Sequence, residues 1–370
     1  MRSKIYNAPC ERESVRLLRF AAATAALSAL AVLAPATASA LPAEKKPSPS
    51  VVDVHDSELT DKQIRDFWTP ERVKEALRNP AKAPATRAAR SRTATSPSPS
   101  PDLAASAPAR GFAADAARSG ANTAAGLSVS QEVPAGAGNN IVGKLIYVSP
   151  TGELTHCSAA SIVSANKNTI WTAGHCVHEG DGSGEAGWSK YVMYYPGYSR
   201  GADPVGEWTA ARLHAPTAWT QDGDAYEADI AAVVLNPRLD GNLEDVVGYA
   251  FGYLFTENRT DYAGAAVMGY PAEGYQRSDL DGERLMYCAG DTTDAFPLNP
   301  FDDRIKLDCD MGRGVSGGAF VWGPQNDPRI VGAASHVALD DAGQRVSDDL
   351  FSSEHGSYAA ALINTVNNEG

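Results

Sequence analysis

Three side chains stand where acid–base chemistry is feasible, in the chain order His, Asp, Ser. Ser316 lies in "CDMGRGVSGGAF", on a glycine-rich turn just before an apolar run. A serine hydroxyl is a poor nucleophile until a base takes its proton, and that base needs an acid to orient it. His175, in "IWTAGHC", follows a strand-like run that ends in small residues. Asp229, in "EADIAAVVL", sits at the mouth of an apolar strand, where an unpaired carboxylate would be costly to bury. The separations are 54 residues from His175 to Asp229 and 87 from Asp229 to Ser316. Each residue alone also fits a structural role: a His beside a Cys, an Asp at a strand start, a Ser between glycines. As a set they supply a nucleophile, a general base and an orienting acid.

The elements that must position them read as strands. From about Val129 onward the chain breaks into apolar runs of four to eight residues, among them "KLIYVS", "CSAASIVS", "TIWTAG", "YVMYYPG", "DIAAVVLN", "AAVMGYP", "LMYCAG", "AFVWG" and "RIVGAASHVA", separated by Gly, Pro, Asn and Asp. A 3.6-residue period appears only near the end, in "SYAAALINTVNNEG", which predicts a C-terminal helix. About ten strands with no helices between them indicate an all-β barrel or sandwich.

The chain before Val129 differs in composition. Basic residues at Arg2, Lys4, Arg12, Arg16 and Arg19 precede the uncharged run "FAAATAALSALAVL" and then "ATASA", the three-part pattern of a secretory signal with a cut expected before Leu41. The uncharged run is 14 residues, short of the roughly 20 that span a bilayer. Residues 41–128 are mostly Ala, Pro, Ser, Thr and Arg, and such a segment is expected to be largely flexible. One island, "LTDKQIRDFWTPERVKEALRNP", predicts one or two short helices, with Thr60 as N-cap and Ile64, Phe67, Trp68, Val73 and Leu77 needing a partner surface. Its place between a signal and an acidic strand-rich region marks it as a propeptide, with Arg87, Arg90, Arg92, Arg110 and Arg118 as sites for removal. A plain linker or stalk has the same composition. The organisation expected is thus signal peptide 1–40, propeptide 41–128 and a folded domain 129–370.

Charge is split: 18 basic against 12 acidic side chains up to residue 128, and 14 against 33 beyond it. An acidic domain is a poor candidate for nucleic-acid binding. Cys10 falls within the signal, leaving Cys157, Cys176, Cys288 and Cys309, which suggest two disulfides outside the cell and three ways of connecting them. A zinc site from Cys157, Cys176, His175 and His178 is conceivable, although no paired C-x-x-C is present. No G-x-G-x-x-G, P-loop or H-E-x-x-H is present, so no cofactor is expected.

Taken together, "TAGHC", "ADIAAVVL" and "GVSGGAF" resemble the histidine, aspartate and serine motifs of the chymotrypsin-like serine proteases, and "CSAASIVS" is similar to the strand carrying the cysteine partner of the one beside the histidine. "VMGYP", a cysteine seven residues before the serine and an Asp directly after it are similar to the secreted bacterial glutamyl-endopeptidase-like branch. Gly318 and Ala319 depart from the Ser and Pro usual there.

The resemblance covers residues 129–370 and implies two antiparallel six-stranded β-barrels with His175, Asp229 and Ser316 as the triad at their seam. It implies an oxyanion hole from the N–H groups of Gly314 and Ser316, disulfides Cys157–Cys176 and Cys288–Cys309, and a hydrogen bond from Ser335 to the buried Asp. Asp310 and His336, with Ser335, become candidates for the substrate pocket, favouring a basic or a glutamyl side chain respectively. Val315 replaces the Asp that receives a freed N-terminus in digestive relatives, so the propeptide would act by covering the cleft or by assisting folding. The expected protein is secreted and monomeric, acts on peptide or protein substrates with its own propeptide as partner, and needs no nucleic acid, membrane or metal. Two rivals remain. "GVSGG" also satisfies the nucleophile elbow of α/β-hydrolase esterases, although "GGAFVWGPQNDPRIVG" reads as strand, turn, strand rather than as the helix that fold requires. A catalytically silent binding module would keep the barrels.

Overall fold

Runs rich in Val, Ile, Tyr and Trp, each closed by a turn residue, pair as strands because their side chains fill a half-buried pleated surface. The computed structural model describes residues 50–82, 84, 97–100, 102–111, 127–134, 139–298 and 302–369. The expected signal segment lies outside these residues, as do Arg87, Arg90, Arg92 and Arg118.

The N-terminal part supplies β1 (Val52–Asp56), α1 (Asp61–Phe67), α2 (Pro70–Arg78), β2 (Ala105–Ala107) and β3 (Leu127–Glu132). A capping box at Thr60 and Gln63 starts α1, and Thr69 with Pro70 at the first position starts α2. The composition of residues 41–128 predicts a mostly flexible segment; instead residues 50–82 are built onto the barrel that follows. A composition average hides the few apolar side chains that matter: Val52, Ile64, Trp68 and Leu77 are all buried, and together they offset the cost of ordering the segment. Trp68 Nε1 also donates to Tyr191 O at 2.6 Å. Arg110, expected as an exposed cutting site, is exposed, while its guanidinium pairs with Glu244 at 3.0 Å and its backbone pairs with Ala250.

Six strands then close the first barrel: β4 (Val142–Val148), β5 (Leu154–Ser161), β6 (Thr169–Thr172), β7 (Lys190–Pro196), β8 (Trp208–Pro216) and, after α3 (Thr217–Asp222), β9 (Ala231–Leu235). The hydrogen-bonded circuit runs β4-β5-β6-β9-β8-β7 and back to β4. Strand β7 pairs with β8 at Trp208 and Thr209, while β1 takes the stretch Arg212–Pro216, so β1 extends the barrel as a seventh strand. Leu145, Ile170, Trp171, Tyr194 and Val233 fill the interior.

After α4 (Leu243–Val247) come β10 (Gly252–Phe255), β11 (Ala265–Gly269), β12 (Met286–Gly290), β13 (Thr293–Asp294), β14 (Ile305–Asp308), β15 (Ala319–Trp322), β16 (Arg329–Leu339) and β17 (Arg345–Ser352). These form a sheet in the order β13-β14-β17-β16-β15-β11-β12-β3. It curls into a half-barrel, because β12 and β14 share no ladder. Strand β3 fills part of that opening: it pairs with β12, and Ser128 O accepts from Asp310 N. The predicted C-terminal helix is α5 (Ser357–Asn368), with Ala359, Leu362, Ile363 and Val366 buried. The architecture is therefore the expected all-β chymotrypsin-like double barrel, with its second half less closed than the first. Among the described residues no helix is long and apolar enough to cross a membrane.

Candidate active site

His175 sits on a single 3₁₀ turn, Gly174–Cys176, directly after β6. Two features fix that turn. The Cys157–Cys176 disulfide ties it to β5. Gly174 packs against the Trp219 ring, and a Cβ there would come within 2.8 Å of it. Asp229 enters from the loop before β9, which Asp224 shapes by accepting from Tyr226 N and Glu227 N.

The Asp229 carboxylate accepts from His175 Nδ1 at 2.9 Å, from the His175 backbone N–H at 2.8 Å and from the Ser335 hydroxyl. Full burial alone would push this carboxyl up. Electrostatic attraction and hydrogen bonds from His175, with the Ser335 hydroxyl, outweigh burial and hold it below the usual carboxylate value. An ionised Asp229 accepting from Nδ1 fixes the proton there and leaves Nε2 as the basic nitrogen. That Nε2 is buried and has no hydrogen-bond partner.

Ser316 comes from the other sheet, and short links tie its turn to β5, to β16 and to the end of β6. Ser316 O accepts from Ser158 N of β5 at 2.7 Å, and Gly317 N donates to Ala334 O, the neighbour of Ser335, at 2.7 Å. Gly317 has φ +76, and a Cβ there would stand 2.0 Å from Thr172 Oγ1, so the serine turn rests directly on the end of β6 that carries His175. Gly314 has φ +97, a conformation that favours glycine. Neither the Gly314 nor the Ser316 N–H finds an acceptor among the described residues, while the intervening Val315 N donates to Gly312 O. Two N–H groups without acceptors, one on Gly314 and one on Ser316 itself, are the donor arrangement an oxyanion requires.

Sequence reasoning missed Ser158, whose only signal was its place after Cys157 in "CSAASIVS". Its hydroxyl donates to Gly314 O at 2.9 Å and accepts from Tyr270 N at 2.8 Å, so the first barrel holds both ends of the nucleophile turn. Arg304 and Asp302 were missed as well, because nothing in "NPFDDRIKLD" marks them.

The pocket candidates have internal partners. The Asp310 carboxylate is buried and accepts from Arg277 at 2.8 Å and from Ser130 N of β3 at 2.9 Å. His336 is buried between Ser335 Oγ and Arg304, each at 2.8 Å. The second disulfide joins Cys288 of β12 to Cys309 after β14.

Metal-ligand chemistry fits poorly. The two groups of close donor atoms among the described residues are Cys157, His175 and Cys176, and Cys288, Cys309 and Asp310. Their sulfurs are bound to each other in disulfides and are not thiolates. The conceivable zinc set with His178 fails for the same reason, and His178 itself contacts Gly184 O and Gly180 N.

The fold and this constellation define the class: the chain belongs to the chymotrypsin-like serine proteases. It is similar to the crystal structure of protease Anisep from Arthrobacter nicotinovorans, with 30% identity and a TM-score of 0.55 over 65% of this chain and 99% of that one. The thermostable serine protease AL20 from an extremophilic microorganism matches with 26% identity and a TM-score of 0.55, over 64% and 100%. A curated relative, named an extracellular metalloprotease of Bacillus subtilis (strain 168), is 29% identical over 195 residues, 50% of this chain and 54% of its own length. The chain thus spans about half the length of that curated relative. No family model matches the chain.

Proposed function

We propose that the protein is a secreted serine endopeptidase, made as a proprotein, that hydrolyses peptide bonds through an acyl-enzyme. The observation that carries this reading is the pairing of a buried, ionised Asp229 with His175 Nδ1, which leaves Nε2 without a partner while the Ser316 turn rests on the end of β6 just before His175. Ser316 Oγ attacks the scissile carbonyl while His175 Nε2 takes its proton. The oxyanion of the tetrahedral intermediate is met by the Gly314 and Ser316 N–H groups. His175 passes the proton to the departing amine, and water repeats the sequence on the ester. Apo geometry in such sites commonly tightens only when substrate binds.

Asp310 and His336 are committed to internal partners, so we assign neither to a side chain of the substrate. The proprotein reading rests on residues 50–82. Ala81 N donates to His156 O at 2.9 Å and His156 N to Asn79 O at 3.2 Å, while Arg313 donates to Pro80 O at 2.6 Å. His156 precedes Cys157 and Arg313 precedes Gly314, so this segment leans on the supports of both base and oxyanion donors and would hold or assemble them before removal.

The test is to treat the secreted protein with a fluorophosphonate, locate the label by peptide mass and follow peptide turnover. Labelling at Ser316 with peptide cleavage is expected. Absence of label would favour a silent binding module, and ester turnover without peptide turnover an esterase. A deletion variant lacking residues 41–128 that secretes normally and matches the full precursor in activity would overturn the role given to the N-terminal segment.

A further inference from the structure

The hydrogen bonds behind Asp229 continue beyond Ser335, and their direction is fixed by chemistry. Arg304 can only donate. Its Nε and one terminal nitrogen bind both oxygens of the buried Asp302 at 2.7 Å, and its other terminal nitrogen lies 2.8 Å from His336 Nε2. Nε2 must therefore offer its lone pair, which places the proton of a neutral His336 on Nδ1. Nδ1 lies 2.8 Å from Ser335 Oγ and so donates to it. With that lone pair used, the Ser335 hydroxyl proton is free for Asp229, an ionised carboxylate that can only accept.

We propose that Arg304 is a positioning residue for the triad: by holding His336 in its Nδ1–H tautomer it directs the Ser335 hydroxyl onto Asp229. This rests on the serine-protease reading above. The order runs from Asp302 through Arg304, His336 and Ser335 to Asp229 and His175, and only one arrangement of protons satisfies every link. Without Arg304, neutral His336 is free to carry its proton on Nε2. Its bare Nδ1 then accepts from Ser335, and Asp229 loses that hydrogen bond.

The surroundings hold the device in place. The Arg304 guanidinium lies 3.6 Å from the centre of the Tyr226 ring, in the loop that leads to Asp229. His336 stacks on Phe351 at 5.1 Å and faces Tyr226 at 6.2 Å. The charged and titratable groups facing it are Arg304, Asp229, His175 and Asp302. Burial, reinforced by Arg304, pushes the His336 imidazole down to about 3, so the neutral form that the tautomer argument requires holds through the neutral range.

The experiment measures Arg304→Met, Arg304→Lys, Ser335→Ala and the Ser335→Ala/Arg304→Met double variant for kcat, KM and thermal midpoint. Arg304→Met is expected to lower kcat by about 10-fold, the scale of one hydrogen bond to a charged group, with KM little changed. Its acidic kcat/KM limb should move upward, because a carboxylate with one hydrogen bond fewer holds more negative charge against the imidazolium. Arg304→Lys should recover most of the loss. In the Ser335→Ala background Arg304→Met should cost nothing further, since its route to Asp229 is gone. Equal losses in both backgrounds, or unchanged kcat in a folded Arg304→Met, would overturn the proposal.

If Arg304→Met does not fold, nitrogen-15 NMR of histidine-labelled protein decides, with His336→Phe to assign the signal. A protonated Nδ1 and bare Nε2 in the unmodified protein are expected, and the reverse tautomer sinks the idea. This readout is independent of turnover, so failure of the protease reading shows separately, as missing fluorophosphonate label on Ser316.

Discussion

The first barrel closes by backbone hydrogen bonds all the way round, whereas the second stays open between β12 and β14 and is joined there by other means. The closed barrel carries His175 and Asp229; the open one carries Ser316. Its opening is crossed by Cys288–Cys309, by β3 and by the Arg277–Asp310 pair, which meet at Cys309 and Asp310, seven and six residues before Ser316. A barrel held by many ladders tolerates the loss of one tie, while a sheet held at a few points depends on each. Ser158 then crosses from the closed barrel to grip the turn, so the Ser316 turn takes its position from the more constrained half.

The largest effect should come at the seam itself. Ser316→Ala is expected to lower peptide turnover by on the order of 10⁴-fold or more while the thermal midpoint stays unchanged; near-normal turnover would remove Ser316 from its role.

Next is the internal pair of the open barrel. Arg277→Met leaves the Asp310 carboxylate buried and short of its charged partner, and a loss of about 3 kcal/mol in denaturant unfolding is expected. The exposed Arg200–Glu132 pair, broken by Arg200→Met, should cost under about 1 kcal/mol, and equal costs would count against the bracing role.

The two disulfides put the comparison to a direct test. They close loops of nearly equal span, 19 and 21 residues apart in sequence, so chain entropy alone would make them equivalent. On that basis each contributes about 3 kcal/mol. Replacing Cys288 and Cys309 by Ser is nevertheless expected to lower stability more, by about 1 kcal/mol beyond the change for Cys157 and Cys176, because no ladder backs the former. The same order is expected in activity when reductant is added; unchanged turnover in reductant would contradict it.

The last effect is a slope with pH. His156 in the first barrel and His336 in the second are each pushed down to about 3, and His355 to about 4, mainly by burial. Their folded values lie below the unfolded value near 6.5. The unfolded chain therefore binds more protons as pH falls below that point, and stability declines from about pH 6.5 toward 4. The depressed Asp229 adds its own loss only at lower pH, as the solution passes below the ordinary Asp value. A thermal midpoint flat between pH 7 and 5 would contradict this, and His355→Gln should flatten the slope.

Much of the site was legible in the sequence because its local signals are strong. Glycines at 314 and 317 answer to backbone angles, a His beside a Cys answers to a disulfide, and an Asp before "IAAVVL" must be paired if it is buried. The strand texture likewise requires an all-β fold, and Thr60 and Pro70 mark the two helix starts whatever surrounds them. What the sequence left open depends on groups far apart in the chain. The helices within residues 59–80 read as needing a partner, but only the folded barrel shows the surface that Ile64 and Trp68 cover. Asp310 reads as a pocket residue until Arg277 and Ser130 reach it. Arg304 and Ser158 carry no local mark, because a hydrogen bond across 32 or 156 residues leaves no periodicity behind. Motif and spacing thus marked the candidate residues; only tertiary contact decided which charged side chains are paired within the protein.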